Sequence, residues 1–95
     1  MNKDVTEKHV EKYLVAQWEK IMRGMCIKFP PLFFRGFPDR ICLAPGAIII
    51  FVEVKKPGEV ARAIQLKVHD KLRRLGFRVE VIDSYDAVDA LIIAL

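Results

Sequence analysis

The sequence predicts one α/β domain, a mixed four-stranded sheet flanked by helices, in the order α-β-β-β-α-β with a short helix at the C-terminus. Two segments with helical apolar spacing bracket a stretch of short apolar runs broken at Pro-Gly pairs. A second helix then separates the last alternating run from the others, as a crossover between parallel strands requires. Ninety-five residues allow a single domain, 1–95, with one modest core.

The first helix is expected over about 4–23, where Val10, Leu14, Trp18 and Ile21 recur among Lys, Glu and Gln and Gly24 supplies a stop. A short strand, MCIKF, follows at 25–29. Residues 30–38, PPLFFRGFP, form a loop with three prolines, one glycine and three phenylalanines, unusually apolar for a connection. RICLA and AIIIFVEV, joined at Pro45-Gly46, read as a hairpin. After Pro57-Gly58 a second helix fits about 59–75, with Ile64, Val68, Leu72 and Leu75 as its apolar stripe and Gly76 at its end. FRVEVID, 77–83, alternates as a strand through Phe77, Val79 and Val81. A last helix at about 85–94 carries Val88, Leu91 and Ile92. Three meandering strands, a crossover helix and a fourth strand parallel to the third make the mixed sheet.

The composition is 53% hydrophobic and 29% charged, which excludes disorder and leaves apolar surface for self-association. No apolar run approaches the roughly 18–20 residues of a membrane span. The N-terminal MNKDVTEKHVEKYL is too charged for a signal peptide. Cys26 and Cys42 lack metal-ligand spacing and read as buried, reduced thiols of an intracellular protein. A net charge of +4 permits, without requiring, contact with phosphate backbones. Neither an organic cofactor nor a membrane partner is expected.

Chemistry concentrates at the end of the hairpin. Ile48, Ile50, Val52 and Val54 share one face of their strand, and Ile49, Phe51, Glu53 and Lys55 the other. Glu53 and Lys55 therefore point the same way, either into solvent at a strand end or into a site. Asp39, after Pro38, is a turn residue by itself, but hairpin pairing brings the start of one strand beside the end of the next, and so Asp39 toward Glu53. Two ionised carboxylates ~4 Å apart repel by about 4 kcal/mol at an effective dielectric near 20. A divalent cation between them relieves that repulsion, and oxygen ligands suit Mg²⁺ or Mn²⁺.

Pro38-Asp39 followed by Glu53-Val54-Lys55 resembles the PD-(D/E)XK nuclease signature, and the surrounding element order resembles that superfamily's restriction-endonuclease-like core. More closely, GFPDR, FVEVKKPG, Gln65 and LRRLGFRVEVIDS resemble the VRR-NUC family, over about Glu7 to Leu91. That family includes stand-alone viral and bacterial nucleases, so the resemblance implies a metal-dependent endonuclease in a bacterial cytoplasm. It implies Asp39, Glu53 and the Val54 main-chain carbonyl as metal ligands, Lys55 as the group orienting water or neutralising phosphate charge, and products with a 5′-phosphate and a 3′-hydroxyl.

Gln65 falls on the inward half of the second helix, as a boundary residue bonded to backbone or, as the resemblance implies, near the metal's waters. The first helix offers two carboxylates. Glu7 extends the Val10–Leu14 stripe and matches the family's start at Thr6-Glu7-Lys8-His9-Val10, while Glu11 lines up with Val15 and Trp18. Glu7 is the preferred choice, although Asp4 and Glu7 are also spaced as a helix capping box. His9 reads as a surface histidine.

Arg35, Arg40, Lys55, Lys56, Arg62 and Lys67 lie in segments near the site and are the candidates for phosphate contacts. Lys71, Arg73 and Arg74 read as a solvated face. Because no element reads as a base-reading module, branched or junction DNA is the expected substrate, and a homodimer suits a two-fold junction. Two other functions compete: a non-catalytic nucleic-acid-binding module, for which the acid-acid-lysine set is superfluous, and an interaction subunit built on the Phe-rich loop.

Overall fold

The computed structural model describes residues 5–95. Thr6 opens helix α1 (Glu7–Gln17): its hydroxyl accepts the His9 N–H at 3.2 Å, and its own N–H donates to His9 Nδ1 at 3.1 Å. The exposed His9 thus closes the capping box expected of Glu7, and Asp4 lies outside the described residues. The helix ends in a π-helical turn, Trp18–Met22, before Arg23 turns left-handed at φ 57°. Consequently Met22 packs on the core, whereas Ile21 is exposed. The Trp18 indole N–H donates to the Leu43 carbonyl at 2.8 Å, pinning the π turn to the sheet.

The sheet comprises β1 (Met25–Lys28), β2 (Arg40–Ala44), β3 (Ile48–Val54) and β4 (Arg78–Ile82) in that spatial order. The first three pair antiparallel, and β4 lies parallel to β3 after the crossover helix α2 (Ala63–Arg74), as the element order predicts. Two boundaries move. Ala47 sits at φ 61° in the hairpin turn, so β3 begins at Ile48. A turn at 56–59 occupies the expected first residues of α2, which starts at Ala63.

The β3 alternation partitions the core. Ile50, Val52 and Val54 join Val10, Leu14 and Trp18 and, from helix α3 (Tyr85–Ile93), Val88, Leu91 and Ile92 on one face. Phe51 joins Leu72 and Val79 under α2 on the other. Of the expected stripe on α2, Leu72 is buried and Val68 packs beside it, whereas Leu75 is exposed, because the inward face also carries Gln65 and His69. On the edge strand β4, α2 covers Val79, while Phe77 and Val81 stay partly exposed and Ile82 is buried on the opposite face. Cys26 and Cys42 are free, buried and directly opposed, with sulfurs 2.8 Å apart.

Gly24 passes so close to β2 that a Cβ there would overlap the Leu43 carbonyl oxygen and crowd the Trp18 indole nitrogen at 2.6 Å. Gly24→Ala should therefore lower unfolding free energy by about 2 kcal/mol or more in urea titrations, through overpacking and the disturbed indole bond.

Candidate active site

The hairpin register places Asp39 opposite Glu53, one step beyond the Arg40–Val52 pair. Asp39 Oδ2 accepts the Val54 N–H at 2.8 Å, and the Asp39 carbonyl accepts the Phe29 N–H at 2.9 Å. Asp39 is thereby fixed from both neighbouring strands. In an extended strand the N–H and C=O of one residue point to the same side, so the Val54 carbonyl also turns toward Asp39.

Glu53 is 2% exposed and Lys55 is 7% exposed, both buried with Phe51 on the α2 side of β3. The strand does not run out into solvent here. Gln65 Nε2 donates to Glu53 Oε2 at 3.1 Å, while Gln65 Oε1 accepts the Arg62 N–H at 2.8 Å. One side chain thus caps α2, as the backbone-bonded reading of Gln65 expects, and also holds the Glu53 carboxylate. Lys55 Nζ lies 3.8 Å from Glu53 Oε2.

Burial, then the neighbouring charge of Asp39, push the Glu53 carboxyl up to about 8, with Lys55 pulling the other way and Glu7 adding to the rise. Glu53 Oε1 is buried without a hydrogen-bond partner. An orphaned oxygen on a carboxyl that resists ionising beside a second carboxylate is what a hard divalent cation would satisfy. Among the described residues no three His, Cys, Asp or Glu side chains are grouped to hold a metal ion; the available set is two carboxylates and a main-chain carbonyl.

Glu7 and Glu11 separate clearly. Glu7 is raised by burial and then by Asp39 and Glu59, and lowered by Lys55, so its carboxylate feels the site although the residue is exposed. Glu11 accepts from Arg40 Nε at 2.9 Å and lies 3.7 Å from Lys28 Nζ. Glu11 is thus the carboxylate engaged in an ion pair with the sheet.

His69 escaped the sequence reading. It is fully buried one turn after Gln65, with Nε2 3.6 Å from Glu53 Oε1 and neither ring nitrogen hydrogen-bonded. Burial, then Arg73 and Lys55, lower its pKa, so it packs neutral against the carboxyl. The i, i+4 spacing of Gln65 and His69 was the available signal.

No family model matches the chain. A solved structure described as a "VRR_NUC domain" is similar with a TM-score of 0.83 at 32% identity, covering 92% of this chain and 94% of that one. Over 82 residues the chain is 44% identical to "Putative nuclease p44" of Acyrthosiphon pisum secondary endosymbiont phage 1, spanning 86% of this chain and 87% of that protein. The chain belongs to the VRR-NUC family.

The basic residues of this VRR-NUC domain fall into two groups. Arg40 is committed internally: besides Glu11, it donates to the Cys26 carbonyl at 3.0 Å. Those bonds tie up much of its guanidinium. Arg35, Lys56, Arg62 and Lys67 are exposed. Lys71 and Arg74, expected on a merely solvated face, share a groove with Lys67, because i, i+4 and i+7 positions line one side of a helix. Arg73 instead donates to the Val79 carbonyl at 2.8 Å.

A carboxyl raised from 4.5 to about 8 binds more protons folded than unfolded between those values. The metal-free protein should therefore lose stability as pH rises through that window. His69, lowered from 6.5, acts in the opposite sense below about that pH. In EDTA, melting temperature should fall between pH 7 and 8.5, and Glu53→Gln should flatten the slope.

Proposed function

We infer that this VRR-NUC protein is a nuclease hydrolysing DNA phosphodiester bonds with Mg²⁺ or Mn²⁺, leaving a 5′-phosphate and a 3′-hydroxyl. The observation that carries the reading is the convergence of Asp39, Glu53 and Lys55 at the end of the β2–β3 hairpin, inside this family's fold. Asp39, Glu53 and the Val54 carbonyl would hold the cation. When bound, the ion supplies Lewis acidity toward a phosphate oxygen and a water of lowered pKa. Lys55, a compact ammonium held against Glu53, orients that water or offsets charge growing on the phosphoryl oxygens. Gln65 fixes the Glu53 rotamer and His69 packs against its other oxygen, so both position the ligand. Glu7, on α1, is raised by burial and then by the charge of Asp39, which supports it as the helix-borne carboxylate acting on the site from outside the ligand set.

Arg35, Lys56, Arg62 and Lys67 are exposed and suit phosphate contacts made without base reading. A homodimer acting on branched or junction DNA is supported by the edge strand β1, whose Met25 and Ile27 are 59% and 43% exposed. Such spare apolar surface fits a self-complementary two-fold contact.

Linear, flapped and four-way DNA should be cleaved with Mg²⁺ or Mn²⁺ and left intact in EDTA. Binding without cleavage under every metal would reduce the protein to a nucleic-acid-binding module. Lys55→Ala should lower kcat about 10²-fold or more with the fold retained. Glu7→Ala should lose activity, whereas Glu11→Ala should chiefly lose stability through the abandoned Arg40; activity lost only in the latter would reverse that assignment. Sedimentation at micromolar protein should give twice the monomer mass, and a monomer would exclude the dimer.

A further inference from the structure

The Phe-rich loop divides its rings between the core and the surface. Phe37 packs edge-on against Phe51 at 5.5 Å and against Phe29 at 5.0 Å, inside the cluster beneath α2. Phe33 stacks on Phe29 at 4.9 Å and Phe34 meets Phe37 edge-on at 5.7 Å, yet these two remain 54% and 61% exposed. Rings anchored on one side and open on the other form a platform, since the apolar area they leave in water is favourable to cover.

The loop is held rather than slack. Its ends are tied by the Phe29 N–H to the Asp39 carbonyl, and turns close Pro30–Phe33 and Phe34–Phe37. Gly36, at φ +83°, lies where a Cβ would come within 2.6 Å of the Ile64 carbonyl oxygen, pressing the loop onto the start of α2. The platform frames a cavity of about 250 Å³ whose wall includes Asp39. That volume is below the roughly 300–1,000 Å³ of small-molecule sites and suits one flat ring. Phe34 also borders a second groove, of about 380 Å³, with Lys67, Lys71 and Arg74. Arg74 pairs with Asp70 at 3.1 Å, so Lys67 and Lys71 carry that groove's uncompensated charge.

An aromatic platform joined to a candidate metal ligand on one side and to lysines on the other has the chemistry of a single-strand nucleic-acid path, stacking for bases and cations for phosphates. We propose that an unpaired nucleobase of the substrate stacks on Phe33 and Phe34, its neighbouring phosphates on Lys67 and Lys71, beside the scissile phosphate at Asp39. The proposal rests on the nuclease reading and adds the substrate class: DNA with at least one unpaired nucleotide at the cleavage point. A second copy of the chain fits this surface less well, because a two-fold contact centred on Phe34 would draw like-charged lysines together.

The test uses the full chain in EDTA with duplexes carrying one bulged 2-aminopurine, whose fluorescence falls on stacking, against fully paired duplexes. Wild-type protein should quench the bulged base and bind that duplex about 5- to 150-fold tighter than the paired one. The Phe33→Ala/Phe34→Ala double variant should lose both effects while keeping its circular dichroism and its affinity for paired duplex. Phe34→Trp should retain quenching, and Phe34→Leu should weaken it. Equal wild-type affinity for the two duplexes overturns the proposal. So does a double variant that turns monomeric with DNA binding unchanged, which would assign the surface to a second copy. Because no cleavage is measured, quenching that persists in a protein inactive with every metal would fail the nuclease reading while keeping the base platform.

Discussion

Keeping a carboxylate under a helix, out of water, is only tolerable if something answers each of its oxygens. Glu53, between β3 and α2, is answered on one oxygen only, by Gln65 and Lys55, while the other faces the unbonded edge of His69 and has no hydrogen-bond partner. Asp39 stands across the hairpin and makes ionisation harder still. The penalty for burying such a charge unpaired runs to several kcal/mol, so the surrounding elements are arranged around it. The turn after β3, the delayed start of α2 and the capping of Arg62 by Gln65 all serve to bring a polar helix face onto this one side chain.

The same arrangement explains the division of labour among the charges. Glu11 and Arg40 neutralise each other where α1 crosses the sheet, so that pair belongs to the scaffold. Glu7, one turn earlier, escapes this pairing and is left to feel Asp39 and Lys55. On α2, His69 stays neutral because burial and the neighbouring cations oppose its protonation. A charged imidazole in that position would compete with a cation for Glu53.

Much of the fold was legible because it depends on local periodicity. The β3 alternation sorted Ile50, Val52 and Val54 from Phe51, Glu53 and Lys55, and the two core clusters follow that sorting. Val88, Leu91 and Ile92 are buried on α3 as their spacing predicts. The α2 stripe was less legible. Counting apolar residues pointed to Ile64, Val68, Leu72 and Leu75; Leu72 and Val68 do pack on the Phe51–Val79 cluster, but Leu75 is exposed and the helix also turns Gln65 and His69 to the sheet, where the buried Glu53 carboxyl lies.

By itself, the sequence determined the order of elements, the hairpin that opposes Asp39 and Glu53, and the shared face of Glu53 and Lys55, since period-two alternation and strand pairing are set within a few residues. Tertiary structure alone decided that the strand end is buried rather than solvated, that Glu11 and Arg40 neutralise each other, that His69 lies against Glu53, and that Phe33 and Phe34 stay outside while Phe37 goes in. Those outcomes depend on how distant segments pack, and packing sets the burial and charge neighbours on which each ionisable group's behaviour depends.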